Sequence, residues 1–98
     1  MTRHRFYVGT QGNGGAVRHD LAEAYLVATY GGFSAYRVEG AWRDGLHSPT
    51  IREESIVYEC VTDESICPSP EYVAKTLRDY ADQQYVLYTV ETVQGGYV

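Results

Sequence analysis

The chain has 98 residues, with 8 basic and 13 acidic side chains and a net charge of −5 at pH 7. This length fits a single domain, 1–98, which can bury enough surface to fold without metals or disulfides, and the acidic balance disfavours general binding to nucleic acid. No run of 18 apolar residues could span a membrane and no signal-peptide core follows the basic first residues, so we expect a cytoplasmic protein.

The chain begins with a predicted strand and a glycine-rich loop. Residues 5–10 alternate in character, with Phe6 and Val8 on one side and Tyr7 on the other, as in a half-buried strand. The sequence QGNGG at 11–15 contains too much glycine for a regular element and predicts a loop.

A first helix is predicted to begin at Asp20, whose spacing to Glu23 is that of a capping box. The glycine pair at 31–32 ends it, because glycine accepts the left-handed conformation of a helix stop. The residues that share its predicted apolar face are Leu21, Ala24, Tyr25 and Ala28.

Two strands follow, at about 34–43 and 51–61, and their short connection predicts an antiparallel hairpin. In the first, one side carries Tyr36, Val38, Gly40 and Trp42, and the other carries Arg37, Glu39 and Arg43. In the second, we expect Ile56, Tyr58 and Cys60 to face the helices.

The second helix has the strongest local signals in the sequence. Ser69 is a good N-cap residue and Pro70 suits the first helical position. Its apolar positions at helical spacing are Val73, Leu77, Tyr80 and Ala81. A last strand is predicted over 85–93, and 94–98 is predicted to be a loose tail.

The order βαββαβ predicts an α+β, ferredoxin-like domain, with a four-stranded antiparallel sheet in the order 4-1-3-2 and both helices on one face. The other sheet face is then open. The residues predicted to lie on it are Arg5, Tyr7, Arg37, Arg43, Glu53, Glu59, Tyr85, Leu87 and Glu91. We expect a homodimer that buries the aromatic part of this face, with the interface residues Tyr7, Arg37, Tyr85 and Leu87.

Three short motifs carry a resemblance to a known family: FYVG at 6–9, GAWRD at 40–44 and REESIV at 52–57. In their order and spacing the chain resembles a family of small bacterial proteins grouped as a domain of unknown function. Ile56 departs from that family, which tends to have a basic residue after the serine. The resemblance implies a ferredoxin-like fold and no particular activity.

The glycine-rich loop is the first candidate binding site, because loop amides ahead of a helix can hold an anion such as a nucleotide phosphate. It lacks the Gly-Lys-Ser/Thr ending of a P-loop, and a plain flexible connection is the alternative. Trp42 and Arg43, beside Glu53 and Ser55, form a second candidate, although Arg43 could instead pair with Glu53 across the hairpin. The predicted ligand-binding residues are Gly12, Asn13, Gly14, Gly15, Arg18, His19, Trp42 and Arg43.

The function hypotheses are therefore a non-catalytic module that binds a small anionic ligand, a protein-surface binder or inhibitor that uses the acidic, tyrosine-rich face, and a small enzyme. The spacing of the three histidines and of Cys60 and Cys67 predicts no metal site, cofactor or catalytic residue, and both cysteines are expected to be free thiols. A compact, acidic, tyrosine-rich chain is also compatible with a phage counter-defence protein.

Overall fold

The computed structural model describes residues 1–63 and 68–98, and these have the predicted order of strands and helices. The elements are β1 (Thr2–Gly9), α1 (His19–Tyr30), β2 (Ser34–Trp42), β3 (Ile51–Thr62), α2 (Pro70–Tyr80) and β4 (Leu87–Thr92). The strands form one antiparallel sheet in the order β2-β3-β1-β4, so the predicted α+β, ferredoxin-like fold is confirmed. Cys67 lies outside the described residues.

One hydrophobic core fills the space between the sheet and the two helices. Its fully or almost fully buried residues come from β1, β3 and both helices: Phe6, Val8, Ala22, Leu26, Tyr58, Cys60, Val73, Ala74, Leu77 and Ala81. Cys60 faces this core, as the strand phase predicted, and burial raises the pKa of its thiol to about 12. Neither described helix is long and apolar enough to cross a lipid bilayer.

Helix α2 forms as the local signals predict. The Ser69 hydroxyl accepts a hydrogen bond from the Tyr72 N–H at 3.3 Å, and Pro70 occupies the first helical position. Val73 and Leu77 are buried on its inner face.

Helix α1 differs from the prediction at both its start and its buried face. It begins at His19, and no side chain caps it, so the predicted Asp20 capping box is wrong. Ala22 and Leu26 face the core, whereas Leu21 is 40% exposed. Apolar residues occur nearly all round this helix, so periodicity could not select the buried side, and packing against the sheet selects it instead.

The orientation of β2 also differs from the prediction. Tyr36 pairs with Val57, and Val57 pairs with Tyr7, which places Tyr36 on the open face. Arg37 pairs with Ile56 on the helix-covered side and forms an ion pair with Glu54, so its assignment to the open face was wrong. Within the described chain no helix packs on β2, and its apolar side lies along the open face beside Val57 of β3.

The charges on the open face are largely paired with one another. Arg5 bonds to Glu59 at 2.9 Å and lies 3.1 Å from Glu91, and Arg3 lies 2.6 Å from the same Glu91 carboxylate. The predicted placement of Arg5, Glu59 and Glu91 on this face agrees with the strand register.

Candidate functional site

A cleft of about 520 Å³ opens on the helix-free face of the sheet. It lies where the end of β1 meets the β2–β3 hairpin and the connection from α2 to β4. We call it the open-face cleft. Its lining residues are Tyr7, Gly9, Gln11, Asn13, Trp42, Asp44, Glu53, Ser55, Gln83, Gln84, Tyr85 and Leu87. The volume is in the range typical of sites for small molecules.

Strand register positions the floor of the cleft. Tyr7 pairs with Leu87, and Gly9 pairs with Ser55, so these residues of three neighbouring strands lie together on the open face. A Cβ atom at Gly9 would collide with the side chains of Glu53 and Gln83. A glycine at this position therefore lets both side chains enter the floor of the cleft.

Aromatic side chains form the walls. Tyr7 is half-buried, Trp42 is 40% exposed at the end of β2, and Tyr85 is 74% exposed just before β4. Exposed aromatic rings around a concave site provide flat apolar surfaces on which a planar ring can stack. The amide and hydroxyl groups between them supply both donors and acceptors of hydrogen bonds.

The electrostatic character of the cleft is acidic. Asp44 and Glu53 contribute carboxylates, and the lining residues within the described chain include no lysine, arginine or histidine. Such a site favours a neutral or cationic ligand over one with an exposed negative charge.

The glycine-rich loop does hold an anionic group, but that group belongs to the chain itself. The carboxylate of Asp82 accepts hydrogen bonds from the N–H groups of Asn13, at 2.8 Å, and Gly15, at 2.7 Å. Its backbone oxygen accepts a further bond from Asn13 N–H at 3.1 Å. Two of the loop amides that were expected to bind an external anion, those of Asn13 and Gly15, are therefore already bonded to Asp82.

The predicted basic residues of the site have other partners. The Arg18 guanidinium pairs with Asp20 and holds the pKa of that carboxyl below its usual range. His19 Nδ1 lies 2.8 Å from the hydroxyl of Tyr58, on the helix-covered side. Arg43 donates to the backbone oxygen of Leu46 at 3.0 Å rather than to a carboxylate.

Of the eight predicted ligand-binding residues, the structure brings Asn13 and Trp42 into the open-face cleft. Three of the four predicted interface residues, Tyr7, Tyr85 and Leu87, line it as well. The sequence predicted that Trp42 would lie near Glu53 and Ser55, and all three line the cleft. Gln11 and Asp44 belong to the glycine-rich loop and to the GAWRD motif but were not predicted to bind a ligand, and nothing in the sequence indicated Gln83 and Gln84. Loops distant along the chain bring these four lining residues together.

Comparison with known proteins gives a structural match and no sequence match. No family model matches the sequence, and no curated protein is significantly similar to it. A solved structure of a phage SAM lyase in complex with S-methyl-5'-thioadenosine superposes with a TM-score of 0.64 at 14% sequence identity. The match covers 92% of this chain and 79% of the lyase chain. The two proteins share a fold.

Proposed function

We propose that this protein binds a small nucleoside-like ligand in the open-face cleft. The observation that carries the proposal is the combination of three aromatic rings with uncharged amide groups around a cavity of about 520 Å³. The structural neighbour, which is similar in fold, is bound to S-methyl-5'-thioadenosine, and this supports a ligand of that class. The phage origin of that neighbour supports the hypothesis, raised from the sequence, that this chain is a phage protein.

Different lining residues can contact different parts of a nucleoside. Trp42 and Tyr85 offer faces on which a base can stack, and stacking tolerates different bases. Asn13 and Gln84 supply amide groups that can bond to the edge of a base. Glu53 supplies a carboxylate that can accept hydrogen bonds from ribose hydroxyls, as acidic residues do in dinucleotide sites.

Isothermal titration calorimetry with adenosine and with S-methyl-5'-thioadenosine tests the proposal. The stacking of a base is worth about 1–3 kcal/mol, so Trp42→Ala should weaken binding by roughly tenfold or more. Tyr72→Ala removes an aromatic ring of similar exposure from α2 and should leave the affinity unchanged, because Tyr72 does not line the cleft. Wild-type protein that binds neither compound at millimolar concentration would overturn the proposal.

A second candidate function is catalysis on such a ligand, and the observation that favours it is Glu53. Its carboxylate lies in the floor of the cleft and has no hydrogen-bond or ion-pair partner among the described residues, whereas the neighbouring Glu54 points to the opposite face and pairs with Arg37. A carboxylate in this setting can act as a general base. Incubation with SAM followed by chromatography should reveal a thioadenosine product that Glu53→Gln protein does not form, and unchanged SAM would exclude this activity.

Self-association through the open face is the third part of the proposal. Tyr85 and Leu87 are 74% and 61% exposed, and on the same face Arg5 is paired with Glu59 and Glu91. This pairing reduces the repulsion that a second copy of the same face would meet there, while Asp44 and Glu53 keep the cleft itself acidic. A homodimer formed in this way would cover the rim of the cleft.

A further inference from the structure

We propose that Asp82 makes the open-face cleft selective for nucleosides without a phosphate group, because its carboxylate occupies the loop amides that would otherwise bind one. The inference rests on the proposed function of the cleft. It identifies the class of ligand and the residue that sets this class.

The geometry around Asp82 is that of an anion held by a loop. One carboxylate oxygen, Oδ2, accepts from two loop amides at 2.7 and 2.8 Å, distances typical of charge-assisted hydrogen bonds. A Cβ atom at Gly12 or Gly15 would lie 2.9 Å from this oxygen. The loop contains glycine at these two positions because the carboxylate comes so close to its backbone.

The backbone of Asp82 is held in an unusual conformation that points the carboxylate at the loop. Its φ angle is 51°, in the left-handed region, which is unfavourable for a residue with a Cβ. The turn is held by bonds from Gln83 N–H to the Arg78 oxygen, at 3.0 Å, and from Asp82 N–H to the Asp79 oxygen, at 3.4 Å. Glycine or asparagine would adopt this conformation more easily. Aspartate occupies the position in spite of this, and its carboxylate makes the contact with the loop.

The contact bears on the ligand because it lies at the edge of the cleft, between the lining residues Asn13 and Gln83, although Asp82 itself does not line the cleft. Asn13 lines the cleft and is bonded to Asp82, while Gln83, the next residue, lines it from the other side and donates to the Gln11 oxygen at 2.7 Å. A phosphate that approached the loop would meet a carboxylate instead of free amides, and Asp44 and Glu53 would repel it from the hairpin side. An uncharged nucleoside meets none of this repulsion.

Affinities for adenosine and AMP, measured by calorimetry at one ionic strength, test the inference. The wild-type protein should bind adenosine at least about tenfold more tightly than AMP. Asp82→Gly removes the unfavourable left-handed conformation of a residue with a Cβ and frees the two amides. The ratio of the adenosine affinity to the AMP affinity should therefore fall by about tenfold or more, through a gain in AMP affinity. Asp82→Asn keeps the shape of the side chain, and it should reduce the ratio less.

Asp79→Asn is the matched control. It removes one negative charge three positions before Asp82, and the Asp79 side chain does not line the cleft. It should leave the ratio unchanged. Inorganic phosphate gives an independent measurement: it should raise the melting temperature of Asp82→Gly protein more than that of the wild type. If the wild type binds adenosine but does not discriminate against AMP, or if Asp82→Gly leaves the ratio unchanged, the inference is wrong and the proposed function stands. If the wild type binds neither adenosine nor AMP, the inference is wrong, and if it also fails to bind S-methyl-5'-thioadenosine, the proposed function is wrong as well.

Discussion

His4 is a buried polar side chain in the middle of the fold. It is 3% exposed on the helix side of β1, its ring lies 5.3 Å from that of Tyr30, and neither ring nitrogen has a hydrogen-bond partner among the described residues. Burial disfavours the charged form and lowers the pKa of His4 below its usual value. At neutral pH the folded protein therefore favours the uncharged form of this imidazole.

This burial makes stability depend on pH. Below about pH 6.5 the unfolded chain binds a proton at this histidine that the folded chain does not bind. The contribution of the neutral His4 to the free energy of unfolding is therefore fully present above that pH and is lost as the pH falls. His4→Phe keeps an aromatic ring next to Phe6 and Tyr30 and should flatten the decline in melting temperature between pH 7 and pH 5. His47→Asn changes an exposed histidine in a loop and should leave the decline as in the wild type. An equally steep decline in His4→Phe and wild-type protein would show that other groups cause it.

The two helices differ in how far local sequence determines them. In α2 the cap, the proline and the apolar spacing all agree, and the structure follows them. In α1 the apolar residues surround the axis and the apparent capping box does not form, so the contact with β3 determines which side is buried.

The cap of α2 should therefore contribute more to stability than the supposed cap of α1. Ser69→Ala removes the acceptor for the Tyr72 N–H and should lower the free energy of unfolding by about 1 kcal/mol, measured by urea denaturation. Ser69→Asp restores an acceptor and should recover most of the loss. Asp20→Ala removes an exposed ion pair with Arg18 and should have a smaller effect on the free energy of unfolding than Ser69→Ala. A larger loss from Asp20→Ala would mean that this residue caps α1 after all.

At the scale of the whole molecule, one complete face of the sheet and strand β2 lack a covering helix in the described chain, whereas α2 contacts β4. No helix packs on β2, and every residue of β4 is exposed to solvent. Unpaired edge strands and exposed apolar side chains favour association with another chain.

Multi-angle light scattering at tens of micromolar should give twice the mass of one chain. Leu87→Asp introduces a charge at the centre of the proposed contact and should shift the protein to the monomer. Leu46→Asp changes a leucine that is 74% exposed in the hairpin loop, and it should not alter the mass. A wild-type mass equal to that of a single chain would contradict the dimer.

What the sequence alone determined was the order of the elements, the fold class, helix α2 and the inward face of β3. These follow from signals within a few residues of one another: alternation, caps and turn residues. It also drew attention to the glycine-rich loop and to Trp42, Glu53 and Ser55, and part of the cleft lies there.

The tertiary structure decided which face of α1 is buried, which side of β2 lies on the open face, and which group the loop amides bind. Each of these depends on a residue far along the chain, and the bond from Asn13 to the Asp82 carboxylate spans 69 positions. A loop of glycines indicates that an acceptor approaches its backbone closely, but local sequence does not show whether that acceptor belongs to a ligand or to the protein. Here packing brings the end of α2 against the loop, and the acceptor is Asp82.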